Sequence, residues 1–304
     1  ETIGENLFGE SYTKFSATYY RYDTSLKEII LDGITKKVYG GLIDASSSSV
    51  TRGSDIWGAG YLTINITGYI IEHNRALQSK VYSFTTGSNL FGESYKTRSD
   101  TAYTYKITPK GFNGKDLYGV LESASQASVT EGTDTWGAGY TTTSTTDYEI
   151  INNRAFQTMV KAETTGSNLF EESYTTTSTT TYDNNGYKPD GTLEDPAKIL
   201  GALLGVTGAS LTKGTDTWGA GYTTTSTTEY TIINNRAFQS NVIAETIGDN
   251  LFGESYTTFS ATYYRYDASL KEITLDGITK KAYGELIDAS STSVTRGSDI
   301  WGAG

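Results

Sequence analysis

The sequence of 304 residues contains no cysteine, one histidine, one methionine and only three prolines. Without cysteine the chain can form no disulfide bond, no thiolate metal site and no cysteine nucleophile. His73 alone cannot supply a metal cluster or a repeated Ser-His-Asp arrangement, so we interpret it as a turn residue. The sequence therefore predicts a non-enzymatic protein with no catalytic residue, no metal site and no cofactor.

Basic residues and long apolar runs are also scarce. The chain has 24 Lys and Arg against 35 Asp and Glu, which gives a net charge of −11. This balance disfavours nucleic-acid binding, which needs a basic face, and it disfavours docking on anionic membranes. No apolar run approaches the length of a membrane span or forms a signal peptide. We therefore expect no nucleic-acid partner and no membrane insertion.

What is abundant is glycine and tyrosine, with 33 and 24 copies, set among many threonines and serines. These residue types favour strands and turns over helices. The aromatic residues recur periodically, which argues against disorder. The composition thus predicts an all-β protein.

An internal repeat is the strongest signal in the sequence. The phrase NLFGESY, once NLFEESY, alternates with DIWGAG or DTWGAG, and the Asn and Asp that begin these phrases serve as markers. A Phe phrase leads to a Trp phrase after 45 to 49 residues, and the return always takes 34. Each repeat of about 80 residues thus has a long and a short half. The predicted boundaries are 1–5 (end of a preceding repeat), 6–88, 89–167, 168–249 and a partial repeat 250–304.

A longer period is superimposed on this one. Residues 6–60 match residues 250–304 at 49 of 55 positions, an offset of 244 residues. We interpret this near-identity as a recent duplication within a long array. We accordingly expect the sequence to be a segment of a longer chain.

A glycine stands two residues before each marker, as in Gly4, Gly53 and Gly87. We expect it to take a positive φ in a hairpin turn that feeds the next strand. Each half-repeat is then one β-hairpin. The predicted fold is all-β, with tandem antiparallel β-hairpin repeats that form an extended β-sheet, solenoid or fibre. The segment 194–205, the one helical candidate, is predicted as strand by analogy with its counterparts.

Two tyrosines eight residues apart follow each complete marker phrase, and a Phe or Trp precedes the first tyrosine by four. Even spacing would place all three on one face of a strand. We predict that this face is the buried one and that its side chains form a structural aromatic ladder. The ladder consists of Phe8, Tyr12, Tyr20, Trp57, Tyr61, Tyr69, Phe91, Tyr95, Tyr103, Trp136, Tyr140, Tyr148, Phe170, Tyr174, Tyr182, Trp218, Tyr222, Tyr230, Phe252, Tyr256, Tyr264 and Trp301.

The opposite strand face varies between repeats. It is apolar in the first repeat, around Phe15, Leu62, Ile64 and Ile66. It is charged at the start of the second repeat, at Lys96, Arg98 and Asp100, and rich in threonine from Thr141 onward in the second and in the third. Threonine keeps a strand extended without adding a sticky apolar surface, and it also offers acceptors for O-linked glycans. The candidate acceptors are Thr141, Thr143, Thr145, Thr175, Thr177, Thr179, Thr223, Thr225 and Thr227.

Asp and Asn are frequent in the loops of the long halves. Asp183, Asn185, Asp190 and Asp195 lie in one loop, but their spacing does not fit an EF-hand. The stretches TYYRYDASLKEITLDG (262–277) and TTTYDNNGYKPDGTL (179–193) resemble the Tyr-Asp repeats of RHS/YD-type surface proteins. That resemblance implies an extracellular array of β-hairpins.

Two functional hypotheses follow. The first is an extracellular or cell-surface structural filament whose partner is the protein itself, through repeat stacking and lateral assembly, with covalent glycans on the threonines. The second is a multivalent adhesin that binds a glycan or another partner through the variable face. In either case a recurrent unit adds stability through its neighbours.

Overall fold

The structure is a computed structural model. It describes residues 1–5, 11–31, 33–38, 40–54, 59–89, 91–108, 117–167, 170, 172–186, 192, 200–249, 252–269, 271–275, 278–282 and 284–298. Every regular element in these residues is a β-strand. None of the described residues forms a helix long and apolar enough to cross a membrane.

The chain divides into two compact units, unit 1 with residues 1–137 and 153–155 and unit 2 with residues 138–152 and 156–304. The strands before the division are β1 (Thr2–Glu5), β2 (Ser11–Tyr22), β3 (Lys27–Leu31), β4 (Ile34–Val38), β5 (Leu42–Ser54), β6 (Gly60–Glu72), β7 (Arg75–Ser88), β8 (Ser94–Thr108) and β9 (Leu117–Thr133). Those after it are β10 (Gly139–Ile151), β11 (Arg154–Ser167), β12 (Ser173–Asn184), β13 (Leu203–Thr215), β14 (Gly221–Ile233), β15 (Arg236–Asp249), β16 (Ser255–Asp267), β17 (Lys271–Leu275), β18 (Ile278–Ala282) and β19 (Glu285–Ser298).

Sheet order follows chain order in both units. In unit 1 the order is β1-β2-β5-β6-β7-β8-β9, and in unit 2 it runs from β10 to β16 and ends on β19. The paired strands are antiparallel. The remaining strands form two small hairpins, β3–β4 and β17–β18, that extend the long halves of the first and last repeats.

These observations confirm the predicted all-β fold of tandem antiparallel hairpins. Threonine and tyrosine dominate the strands because a branched or aromatic side chain packs well on a pleated surface. In segment 194–205, predicted as strand, Leu203 to Gly205 belong to β13 and residues 200–201 form a turn. Residues 194–199 lie outside the described residues.

Buried side chains gather where the second tyrosine of each strand lies. Ala45, Ala124 and Val206 are buried, and they pair across the sheet with Tyr20, Tyr103 and Tyr182 respectively. The other buried hydrophobic residues described are Leu121, Ile151 and Ile233. Many more large apolar side chains are exposed than buried, because neither unit adds a second layer of strands among the residues described.

Candidate functional site

The Phe and Trp residues of the marker phrases lie in hairpin turns. Asp134 Oδ1 accepts a hydrogen bond from the Trp136 amide at 2.8 Å, and the Gly137 amide donates to the Asp134 carbonyl at 3.1 Å. Gly137 takes the positive φ of 88° that closes this turn. The described turn aromatics, which are between 67% and 76% exposed, are Phe91, Trp136, Phe170, Trp218 and Phe252.

The prediction that these aromatic residues share the strand face of the tyrosines is therefore wrong. The side-chain alternation of a strand does not continue through a turn that contains a positive-φ residue. Phe8, Trp57 and Trp301 lie outside the described residues. Among the described residues, the aromatic side chains of these rows on the strand face are tyrosines.

The glycines that precede the markers lie inside strands, which corrects the predicted hairpin turn. Gly53 is in β5 and pairs with Tyr61, and Gly87 is in β7 and pairs with Tyr95. Neither has a positive φ; the positive-φ glycines of these hairpins are those that follow the turn aromatics, such as Gly92 and Gly137. A glycine is therefore needed at the strand position for another reason.

That reason is a tyrosine ring. A Cβ atom added to Gly214 would lie 2.5 to 2.6 Å from Cζ, Oη and Cε1 of Tyr222, far inside van der Waals contact. The ring thus occupies the space that any other residue would fill, and it shields a strand glycine that has no side chain of its own. The same arrangement joins Gly4 to Tyr12, Gly53 to Tyr61, Gly87 to Tyr95, Gly166 to Tyr174 and Gly248 to Tyr256.

Hydroxyl groups form rows beside the tyrosines on the same face, which we call the tyrosine face. Two residues after the first tyrosine, a threonine hydroxyl lies within hydrogen-bond distance of a threonine hydroxyl on the next strand. These pairs, 2.8 to 3.0 Å apart, are Thr63–Thr85, Thr97–Thr130, Thr142–Thr164, Thr176–Thr212, Thr224–Thr246 and Thr258–Thr295. Sequence reasoning treated this position as variable, although the threonine recurs there in six of the seven copies.

The tyrosine face is more covered than the variable face in repeats 2 and 3, but it is not a buried core. Tyr140, Tyr174 and Tyr222 are half-buried. Thr143, on the variable face of the strand that carries Tyr140, is exposed. Three tyrosines of the rows, Tyr12, Tyr61 and Tyr95, remain 38% to 41% exposed. The expectation that the aromatic face is the buried one is wrong for these residues, since only their own strand neighbours cover them.

The short halves turn back through two residues of positive φ. Asn234 and Asn235 have φ of 49° and 61°, as a two-residue hairpin loop requires. Asn235 Oδ1 accepts a hydrogen bond from the Leu203 amide at 2.6 Å, two strands away. Asn153 and Asn74 make the same contact with the amides of Leu121 and Leu42. These turns therefore tie three strands together.

Substitutions at Asn235 separate the two roles of this turn residue, which are its left-handed backbone and its hydrogen bond from the Leu203 amide. Asn235→Ala should destabilise the β14–β15 hairpin by about 2 kcal/mol, because alanine disfavours a left-handed backbone and leaves the Leu203 amide without its acceptor. Asn235→Gly keeps the backbone and should lose about half as much. Asn235→Asp keeps both features and is the matched control. Hydrogen exchange of the Leu203 amide measures the effect, and equal exchange in all three variants would contradict it.

A bulky side chain covers a positive-φ glycine next to each of these turns. Phe238 lies on Gly284, Phe156 on Gly201 and Leu77 on Gly119, each two strands apart in the sheet. The Phe238 ring also lies against Tyr266, with centroids 5.1 Å apart. Gly219, a positive-φ glycine in the turn that contains Trp218, has no neighbour within 4 Å of its Cβ position.

Two tyrosines at this end of the strands titrate abnormally. Burial raises the pKa of Tyr105 above its ordinary value, and nearby Tyr103 raises it further. Burial also raises the pKa of Tyr182, with a smaller contribution from Tyr230. Tyr105 Oη donates to the Gln78 carbonyl at 2.7 Å, so the protonated phenol is the stabilising form. Its contribution is complete below the unfolded pKa near 10 and is lost as the pH rises through the folded pKa.

The variable face differs sharply between the repeats. In unit 1 a continuous apolar row crosses four strands, because Phe15 pairs with Val50, Val50 with Ile64, and Ile64 with Phe84. In unit 2 the matching positions of β12 and β14 are threonines, Thr177 and Thr225. Of the predicted glycan acceptors, Thr141, Thr143, Thr145, Thr175, Thr177, Thr225 and Thr227 are exposed, whereas Thr179 and Thr223 are half-buried.

The histidine and the recurrent glutamates, which are the candidate catalytic or metal-binding side chains, lie at turns and make contacts there. His73 is in a turn with φ of 48°, and its ring lies 3.5 Å, centroid to centroid, from Tyr118. Glu93 and Glu172 accept hydrogen bonds from Thr135 and Thr217 of neighbouring turns at 3.4 and 3.2 Å. No group of three or more metal-ligating side chains occurs among the described residues. Asp190 and Asp195 lie outside them.

Comparison of the chain with protein-family models, with curated proteins and with solved structures gives no match. The class that the fold defines is a tandem β-hairpin repeat protein with sheet-paired strands in chain order.

Proposed function

We propose that this chain is a non-enzymatic structural repeat segment of an extracellular or cell-surface filament. The observation that carries the proposal is the recurrence of one hairpin with the same parts: a strand glycine under a tyrosine ring, a row of paired threonine hydroxyls and an asparagine turn bonded to a third strand. Each hairpin bonds mainly to the hairpins beside it. Such a design lengthens by duplication, as the near-copy 250–304 illustrates.

The location outside the cell and the filament form are parts of this proposal. The resemblance to RHS/YD-type surface proteins favours them, and it stays a prediction. Immunogold labelling of intact source cells, with an antibody against this segment, tests both. We expect gold particles in rows along surface filaments. Labelling that appears only after the cells are permeabilised would contradict the proposed location.

Glycosylation of the exposed threonines is a further part of the proposal. Mass spectrometry of the native protein should show hexose or hexosamine mass additions on peptides that contain Thr141, Thr143 or Thr145. The peptides around Thr63 and Thr85 are the internal control, since their hydroxyls are paired with each other on the tyrosine face. Unmodified masses on both sets of peptides would remove glycosylation from the proposal and leave the filament untouched.

An alternative function, multivalent adhesion, is favoured by the apolar row on the variable face of unit 1. Phe259 and Val294 repeat its first two positions in the near-copy, and they are 47% and 56% exposed. Bead-bound chain should then retain glycans or other cell-surface partners, and variants Phe259→Thr and Val294→Thr should retain less. Equal retention by the wild-type and variant chains would count against adhesion through this row.

A further inference from the structure

The variable face of unit 1 carries large apolar side chains that the sheet itself does not cover. Phe15 and Ile66 are each 51% exposed and Tyr82 is 37% exposed, while Val50, Ile64 and Phe84 are half-buried. These six residues lie in two adjacent rows across β2, β5, β6 and β7. We call them the apolar patch.

Folding of the hairpins does not require this patch, as the chain itself demonstrates. Thr143 and Thr145 stand where repeat 1 has Ile64 and Ile66, and Thr177 stands where it has Phe15. Those threonine-bearing strands form the same antiparallel hairpins. Exposed apolar groups that the fold can do without are typical of an interaction surface.

The side chains of the patch are arranged in a way that fits a copy of itself. One row reads Phe15, Val50, Ile64, Phe84 across the four strands, with the two large rings at its ends. Reversing the strand order leaves this pattern of sizes unchanged. A two-fold axis parallel to the strands, lying between two stacked sheets, performs this reversal.

The second row shows complementary rather than symmetric sizes. It reads Ala17, Ser48, Ile66, Tyr82 in the same strand order. Under the same two-fold axis Ala17 faces the Tyr82 of the second copy, and Ser48 faces its Ile66. Small residues opposite large ones allow two sheet faces to interdigitate at their usual separation of about 10 Å.

The available area is close to that of a standard dimer interface. Under the two-fold axis β2 lies opposite β7 and β5 opposite β6, and these four strands, about 4.8 Å apart and about a dozen residues long, share a face of roughly 760 Å². A standard interface needs about 800 Å² on each partner. The surroundings of the patch are charged, with Arg52 beside it and Arg98 and Asp100 on β8. An apolar centre with a polar rim is typical of specific interfaces.

We propose that the apolar patch docks face to face on the same patch of a second copy of this chain, related by a two-fold axis parallel to the strands. The pairing is an isologous β-sandwich that leaves the tyrosine faces outward. This inference deepens the proposed function, on which it rests for its biological purpose, because it names the lateral contact between filaments.

The test begins with the oligomeric state of the full chain. Sedimentation velocity should show a dimer that dissociates on dilution over about 1 to 100 µM. A variant with Phe15→Thr, Ile64→Thr, Ile66→Thr and Phe84→Thr should raise the dissociation constant at least about 100-fold. Circular dichroism should be unchanged, since three of these threonines copy residues of other repeats. The control variant, with Thr141→Ser, Thr143→Ser and Thr145→Ser, should dimerise like the wild type.

The absence of cysteine allows a direct test of the orientation. Chains with Ala17→Cys should be mixed with chains with Tyr82→Cys and treated with a short bismaleimide. We expect a covalent heterodimer in the mixture and much less product from either chain alone. Equal cross-linking in all three samples would overturn the two-fold arrangement.

Failure of this inference is distinguishable from failure of the proposed function. Surface filaments whose chains are monomeric in solution, or whose association is insensitive to the four substitutions, would overturn the docking face and leave the structural role standing. A dimer that depends on the patch, in a protein found only inside cells, would support the docking face and contradict the proposed location at the cell surface. A chain that carries only Thr63→Asp keeps the apolar patch intact. If that chain failed to dimerise, the contact would belong to the tyrosine face and the inference would be overturned.

Discussion

Gly284→Ala should destabilise its repeat far more than Gly219→Ala, although the two glycines have similar backbones. Both have a positive φ, 77° and 84°, and both amides donate to an aspartate carbonyl, of Asp267 and Asp216. An alanine at either site therefore incurs the same backbone cost, about 1 to 2 kcal/mol. Only at Gly284 would the new Cβ meet a ring, that of Phe238.

We expect this extra contact to add about 1 to 3 kcal/mol to the cost of Gly284→Ala, as overpacking against a half-buried ring does. Hydrogen exchange of the strand amides on either side of each site measures the local loss of stability. Adding Phe238→Ala should remove most of the difference between the two glycine variants. Equal destabilisation at both sites would mean that the ring does not enforce the glycine.

Gly214→Ala should cause the second large loss of stability, at the strand glycine that the Tyr222 ring covers. The added methyl group would displace the Tyr222 ring, which lies 2.5 to 2.6 Å from the Cβ position. We expect a loss of about 1 to 3 kcal/mol in the β13–β14 hairpin. A normal β-strand backbone makes alanine otherwise preferable to glycine, so any loss must come from the ring.

The matched control for this prediction is Gly221→Ala, on the strand paired with Gly214. Its Cβ would meet only the Gly214 carbonyl oxygen, at 4.0 Å, so we expect a neutral or slightly stabilising change. In the double variant Gly214→Ala with Tyr222→Ser, the two losses should be less than additive. Strict additivity would show that the tyrosine and the glycine act independently.

The sequence was sufficient to predict the hairpins, because strand length, the even spacing of the tyrosines and the 34-residue short half can all be read from the order of residues along the chain. It could not assign the strand glycines correctly. A glycine two residues before Asn or Asp is a common turn signal, and only the cross-strand register reveals the tyrosine above Gly53 or Gly87. The turn aromatics were misplaced because side-chain alternation was counted through Gly92 and Gly137.

The features that the sequence did not predict are contacts between strands that are distant in sequence. Phe238 and Gly284 are 46 residues apart, and nothing local in either phrase indicates that they meet. The threonine rows could have been found, since Thr63, Thr97 and Thr142 recur at one offset from the first tyrosine. Their partners Thr85, Thr130 and Thr164 carry no such marker. Pairing of the hydroxyls depends on the register of the folded sheet.

Layer-line analysis of electron micrographs of the native material tests the structural repeat most directly. If strands run perpendicular to the filament axis, we expect a strong spacing near 4.8 Å. We also expect a longer axial repeat that corresponds to the 244-residue block. Discrete particles of fixed size, with neither spacing, would contradict the proposal that this protein is a filament.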